Sequence, residues 1–106
     1  MNVRQEKLAA LLHGYAAEFF EEFANEKNLI TVVSCDAAAG GKSVTVWLTV
    51  HGPDKAVLET AVLRKASSLR KYFASKLRNR YVPFVRIELD SGNEQAQYLT
   101  KLIESE

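Results

Sequence analysis

LRKASSLRKYFASKLRNRYVPFVRIELD, residues 63–90, changes its period part-way along. Leu69, Phe73, Leu77 and Tyr81 recur every four residues, which places them on one face of a helix. Val85, Ile87 and Leu89 then alternate with Phe84, Arg86 and Glu88, the period of a strand with one apolar face. Pro83 stands between the two patterns, where a strand start or a sheet edge tolerates it. The apolar pattern before Leu69 falters at Lys65-Ala66-Ser67-Ser68. Ser67 or Ser68 can cap a new helix by accepting from its free N–H groups. The stretch therefore reads as a helix end, a sharp break at Ala66-Ser67-Ser68, a second helix and a strand.

Working outward, GPDK (52–55) starts the helix before the break, with Leu58, Ala61 and Val62 facing a core. Pro53 or Asp54 suits its first turn, where a free N–H is dispensable and a carboxylate meets the positive helix end. Upstream, SVTVWLTVH (43–51) alternates Val44, Val46, Leu48 and Val50 with Ser43, Thr45, Trp47 and Thr49. LITVVSCDA (29–37) is rich in β-branched residues and reads as its hairpin partner across AAGGK, with Gly40 and Gly41 able to take positive φ. Residues 3–25 read as an amphipathic helix with Leu8, Leu11, Leu12, Tyr15, Phe19 and Phe23 on one face. SGNEQAQYLTKLIESE (91–106) reads as a closing helix with Leu99, Leu102 and Ile103 inward. The order is α-β-β-α-α-β-α. A three-stranded sheet with helices on one face is the economical α+β arrangement.

A chain of 106 residues, 47% hydrophobic and 25% charged, is expected to form a single domain, 1–106, of ordinary soluble type. Its N-terminal apolar residues are interrupted by Glu6, Lys7, Glu18 and Glu21, so no secretory signal is expected. No apolar run reaches the roughly 18 residues that a membrane helix needs. The one cysteine, Cys35, has no partner for an internal disulfide, which favours a reducing cytoplasm.

Charge is distributed unevenly. Net charge is +1, yet Arg64, Lys65, Arg70, Lys71, Lys76, Arg78 and Arg80, half of the 14 basic residues, fall between Leu63 and Tyr81 with no acid among them. A solvated helix surface would account for a mixed run, but surface helices ordinarily intersperse signs. A single-sign stripe repels itself, and a polyanion relieves that repulsion. The break adds a helix N-terminus, whose unpaired N–H groups and dipole favour a phosphate.

Order and motif together resemble a type II KH domain, and more narrowly the ribosome-binding factor A family. The resemblance runs from about Leu29 to the end. It is carried by SVTVWLTV, by the break and basic helix, and by RYVPFVRIELD, in which Arg80, Pro83, Val85, Ile87 and Asp90 match a short family element. KH domains carry a GxxG loop at the helix break that clamps a nucleic-acid backbone. The family resembles a KH domain with that loop reduced to Ala-x-Gly. Here Ala66 matches, and Ser68 stands in place of the glycine. NEKNLI stands where the family often has Asp-Pro-Arg after the first helix, which marks a divergent member.

The resemblance implies a cytoplasmic, monomeric factor that binds the immature small ribosomal subunit and its rRNA. It also implies promotion of late maturation, including processing of the rRNA 5′ end, without cofactor, membrane or active site. RNA contact would fall to Arg64, Lys65, Ala66, Ser67, Ser68, Arg70, Lys71, Lys76, Arg78 and Arg80. The alternative is a KH-like module for protein interaction or self-association. Trp47 on the outer sheet face, the near-neutral net charge and the missing glycine motivate it.

Other residue groups give no enzyme constellation. His13 and His51 lack a second His or Cys at metal spacing. A Cys35–His51 pair is remote, because a turn near residue 40 sets Cys35 opposite Val44 or Thr45. GGKS (40–43) lacks the upstream glycine of a phosphate loop, and a strand follows it instead of a helix. Glu88 and Asp90 share a strand face without a partner group.

Overall fold

Val44, Val46, Leu48 and Val50 lie at the centre of the molecule, none more than 1% exposed. They belong to the middle strand of a three-stranded sheet in the computed structural model, which describes residues 3–78 and 81–90. The elements are α1 (Val3–Glu21), β1 (Leu29–Ala37), β2 (Ser43–His51), α2 (Lys55–Leu63), α3 (Ala66–Leu77) and β3 (Phe84–Leu89). Strand order is β1-β2-β3. β1 pairs antiparallel with β2, and β3 pairs parallel with β2, Val44 beside Val85 and Leu48 beside Leu89. A tight turn can join an antiparallel pair, whereas a parallel neighbour needs a long crossover. Here α2 and α3 form that crossover. The α+β class and the order of elements through β3 are those expected. The closing helix expected at 91–106 lies outside the described residues.

The expected α1 stripe is corrected by burial. Leu12, Ala16 and Phe20 are fully enclosed and Ala9 is nearly so, while Leu11 is 38% exposed. Leu8, Tyr15, Phe19 and Phe23 flank this line, partly buried. The line alternates sizes: Ala9 and Ala16, which hydrophobicity alone ranks low, let the helix backbone approach the sheet, and Leu12 and Phe20 fill the core between and beyond them. Across the core, Phe73, Leu69 and Leu77 of α3 and Val62 of α2 meet Val46 and Leu48 in one cluster. Each fully buried Phe or Leu contributes about 1.5–3 kcal/mol by leaving water.

α1 ends at Glu21, not at residue 25. The Phe23 and Ala24 N–H groups bond to the Phe20 and Glu21 carbonyls, tightening the last turn. The Asn25 side chain then accepts from the N–H groups of Lys27 (2.9 Å) and Asn28 (2.8 Å). This local bonding competes with helix continuation.

In the hairpin, Cys35 faces Val46 instead of Val44 or Thr45, because the 38–42 connection is centred between Gly40 and Gly41. His51 faces Leu29, so Cys35 and His51 remain far apart along the ladder. Gly40 and Gly41 have φ of +80° and +68°, as the turn reading requires.

The corner from β2 to α2 is built around Asn28, 2% exposed. Its Oδ1 accepts the Asp54 N–H at 3.1 Å and its amide donates to Asp54 Oδ2 at 3.0 Å. Asp54 precedes α2, but its carboxylate is turned to Asn28 and makes no cap bond to the helix. Gly52 passes close by with φ +141°, and a Cβ there would lie 2.6 Å from the Lys27 carbonyl oxygen and 2.8 Å from Asn28 Cα. Only glycine fits that approach.

Candidate functional site

The helix break falls at Arg64-Lys65, two residues before the position expected from Ser67 and Ser68. The Arg64 and Lys65 N–H groups bond to the Ala61 and Val62 carbonyls, closing α2 in a tight turn. Lys65 is the N-cap of α3, and no side chain caps that end. Ser67 and Ser68 therefore lie exposed in the first turn of α3 and do not cap it. Val62, 1% exposed, and Leu69, 0% exposed, both dock on the core, which fixes where the chain must turn. The first bond that closes α3 runs from the Leu69 N–H to the Lys65 carbonyl at 2.8 Å. The N–H groups of Ala66, Ser67 and Ser68 precede it, and such first-turn groups have no partner inside a helix. They carry the positive end of the helix dipole.

Leu69, Phe73 and Leu77 form the buried stripe of α3 as expected. Tyr81 does not continue it. α3 ends at Leu77, Arg78 takes φ +37°, and Tyr81 is 61% exposed beyond the turn. The outer surface of α3 presents Ser67, Ser68, Lys71, Ala74 and Ser75, all exposed. Apart from Lys71 these side chains are small, so an extended ligand could lie close to the helix.

The basic residues separate into three groups. Arg64, Lys71 and Arg78 are exposed, and no hydrogen bond, ion pair or aromatic ring engages their side chains among the described residues. Lys65 and Lys76 lie over rings. Lys65 Nζ is 5.2 Å from the Phe23 ring centre; Lys76 Nζ is 5.3 Å from Tyr72 and 6.0 Å from Tyr15. Lys76 also pairs with Glu18 at 3.8 Å. Tyr72 donates its hydroxyl to the same carboxylate at 2.8 Å, a bond that raises the phenol pKa. Lys76 thus faces α1 as well as solvent.

Arg70 forms the third group alone. Its Nε donates to the Pro83 carbonyl at 3.2 Å and its Nη2 to the Val82 carbonyl at 3.0 Å. Its Cζ sits 4.4 Å from the centre of the Phe84 ring. Arg70 and Lys76, six residues apart, point about 120° apart around a helix of roughly 3.6 residues per turn. The basic run is therefore not one stripe. It is an open group at the break and outer face of α3, with one cation turned to α1 and another clamping the approach to β3. Arg80 lies outside the described residues.

Sequence reasoning missed the clamp, because its acceptors are backbone groups 12 and 13 residues downstream. The motif Arg-Tyr-Val-Pro-Phe was legible, but not which cation would hold it. The other singled-out residues have local partners. The His13 Nε2–H donates to the Val32 carbonyl at 3.1 Å, from a half-buried position. The Trp47 indole N–H donates to Asp36 Oδ2 at 3.1 Å, with the ring half-buried on the outer sheet face. Cys35 is enclosed, and burial pushes its thiol up to about 12, with Asp36 adding to the rise. Among the described residues, no three of His, Cys, Asp and Glu gather as a metal site, and no helix is long and apolar enough to cross a membrane.

No protein-family model matches the chain. A curated protein from Chlorobaculum parvum, named ribosome-binding factor A, is 29% identical over 110 residues, spanning 99% of this chain and 92% of the relative. The crystal structure of ribosome-binding factor A from Thermus thermophilus superposes with a TM-score of 0.64 at 21% identity, covering 80% of this chain and 94% of that one. A homology model of the Thermus thermophilus factor, as fitted into the cryo-EM map of a complex with the 30S subunit, also gives a TM-score of 0.64, at 20% identity, with 79% and 92% covered. At such identities the structural matches speak to the fold.

Proposed function

We propose that this chain, a divergent member of the ribosome-binding factor A family, binds the immature small ribosomal subunit and its rRNA in the cytoplasm and promotes maturation of that subunit. It acts as a monomer and by binding, with no catalytic chemistry of its own. The observation that carries the reading is the α2–α3 break. There the first-turn N–H groups of Ala66, Ser67 and Ser68 open beside Arg64 and Lys65, with unpaired Lys71 one turn further on. Backbone N–H groups, a helix dipole and flanking cations together make a phosphate cradle. Such contacts position a nucleic acid without reading its sequence. The Thermus factor has been fitted in complex with the 30S subunit, and the shared fold supports the same class of partner for this chain.

The Ser68 replacement of the family glycine is compatible with this reading. The residue lies in the first turn of a regular helix, where no positive φ is required of it. Of the features behind the protein-interaction alternative, the Trp47 indole N–H is bonded to Asp36 within the sheet and so is not a donor held ready for a partner.

The test is affinity for small-subunit rRNA and for immature 30S particles as a function of salt, in the native protein and in Arg64→Glu/Lys71→Glu. Arg70 is left intact because it holds the segment before β3. The native log–log salt slope should be steep, and the double variant should lower it by up to about 2, roughly one for each phosphate the protein no longer neutralises. Equal affinity and slope in the two proteins would overturn the assignment of this face.

A further inference from the structure

Phe84 is the first residue of β3 and is 60% exposed, although Val85, Ile87 and Leu89 already supply that strand's inward apolar face. Its ring has no part in the core. It is nonetheless held in place. The Phe84 N–H donates to the Lys42 carbonyl at 3.0 Å, and the residue lies beside Ser43 in the parallel ladder. On one side the Arg70 guanidinium lies over the ring, 4.4 Å from its centre, and that guanidinium is itself fixed by two backbone carbonyls. A bare ring on a strand edge would be free to turn. This one is backed by a cation that cannot swing away without breaking two hydrogen bonds.

We propose that Phe84, backed by Arg70, is a stacking platform for one unpaired base of an RNA strand whose phosphates follow the α3 N-terminus and Lys71. The inference rests on the RNA-binding reading above and adds to it where a base would sit. Charge complementarity selects a nucleic acid over an apolar protein anchor. α3 carries Arg70, Lys71 and Lys76 and no acid. The nearby carboxylate on β3, Glu88, is already paired with Arg86 at 3.1 Å. An aromatic face offers any base a π surface, and a cation on the reverse side adds cation–π attraction and lowers the local anionic repulsion. Tyr81, 61% exposed three residues earlier, is a second ring on the same approach to β3.

The experiment uses the intact chain with a single-stranded RNA of about ten nucleotides, within the usual span of single-strand binding sites, carrying 2-aminopurine at successive positions. The same sequence as a duplex serves as comparison. Phe84→Leu should weaken single-strand binding about 5- to 150-fold, leave the salt slope and duplex affinity unchanged, and abolish the change in 2-aminopurine fluorescence. Phe84→Trp should retain all four native properties. Both substitutions are at an exposed position, and native far-UV circular dichroism with cooperative urea unfolding verifies that they fold, Phe84→Leu at a slightly lower midpoint because the ring beneath Arg70 is gone.

Native-like single-strand binding by Phe84→Leu would overturn the stacking platform. If Arg64→Glu/Lys71→Glu then still weakened binding, the RNA reading itself would stand. Failure of the native protein to bind any RNA would remove both. Loss of affinity by Phe84→Leu for the 30S particle but not for naked RNA would make the ring a protein contact and also overturn the proposal.

Discussion

Replacing Arg70 by methionine separates a structural cation from one proposed to meet a phosphate. Methionine keeps most of the stem but removes both donors and the charge. What disappears is the bond to the Val82 carbonyl at 3.0 Å, the bond to the Pro83 carbonyl at 3.2 Å and the guanidinium over Phe84. Hydrogen bonds to charged groups contribute about 1.5–3 kcal/mol each when fully buried. Arg70 is only half-buried, and water can partly replace it, so about 1 kcal/mol per bond is the appropriate figure at this depth. The exposed cation–π contact adds about 0.5–1 kcal/mol. The sum is about 2.5–3 kcal/mol, or a fall in melting temperature of roughly 10–20 °C for a chain of this size. Lys71→Met, next in sequence but without a partner, should change stability by no more than about 0.5 kcal/mol. Urea unfolding followed by far-UV circular dichroism measures both. If the two variants unfold at the same urea concentration, the clamp has no energetic role and the reasoning that sets Arg70 apart from its neighbours fails.

Gly52→Ala should cost about 2–3 kcal/mol or more, because φ +141° disfavours any L side chain and the new methyl meets the Lys27 carbonyl and Asn28 backbone; a lowered urea midpoint at unchanged slope is the expected result. Gly14→Ala should do the opposite and stabilise by about 0.5–1 kcal/mol, since the site is mid-helix and open. Cys35 should resist alkylation in the native protein at about pH 8 and react on unfolding, because the thiolate is the reactive form and burial holds the thiol protonated. The same shift has a pH signature. The thiol titrates near 9.0 when unfolded and about 12 when folded, so between those values the native state holds a proton that the unfolded chain has released. Stability should therefore decline as pH rises through that window, and Cys35→Ala should flatten this part of the curve.

The strands were legible because their chemistry is local. Val44, Val46, Leu48 and Val50 alternate without a fault, and each side chain's position follows from a period of two. The α3 stripe was legible for the same reason up to Leu77, where the left-handed turn at Arg78 removes Tyr81 from it. The break lies two residues before the serines because serine's capping preference is a local tendency, whereas the turn is set by where Val62 and Leu69 must dock. In α1, periodicity does not single out Ala16, because its value lies in being small against the sheet and so depends on a partner surface. At the candidate site, the residue types were legible and their roles were not. Arg64, Lys71 and Arg78 look the same in sequence as Arg70, and only the arrival of Val82 and Pro83 beside α3 distinguishes them.

That late arrival has a consequence for how the molecule comes into being. Ala37 and Val44, which pair at the hairpin end, are seven residues apart, whereas Val44 and Val85 are forty-one apart. Short loops close at little entropic expense and long ones later. A chain emerging from its N-terminus can join β1 to β2 once His51 is free. Arg70 by then has not been made, and when it is made its acceptors are still missing. The surface that includes Arg70 and Phe84 is assembled only when β3 enters the sheet beside β2, so a nascent or truncated chain can possess a folded hairpin and lack the proposed RNA face.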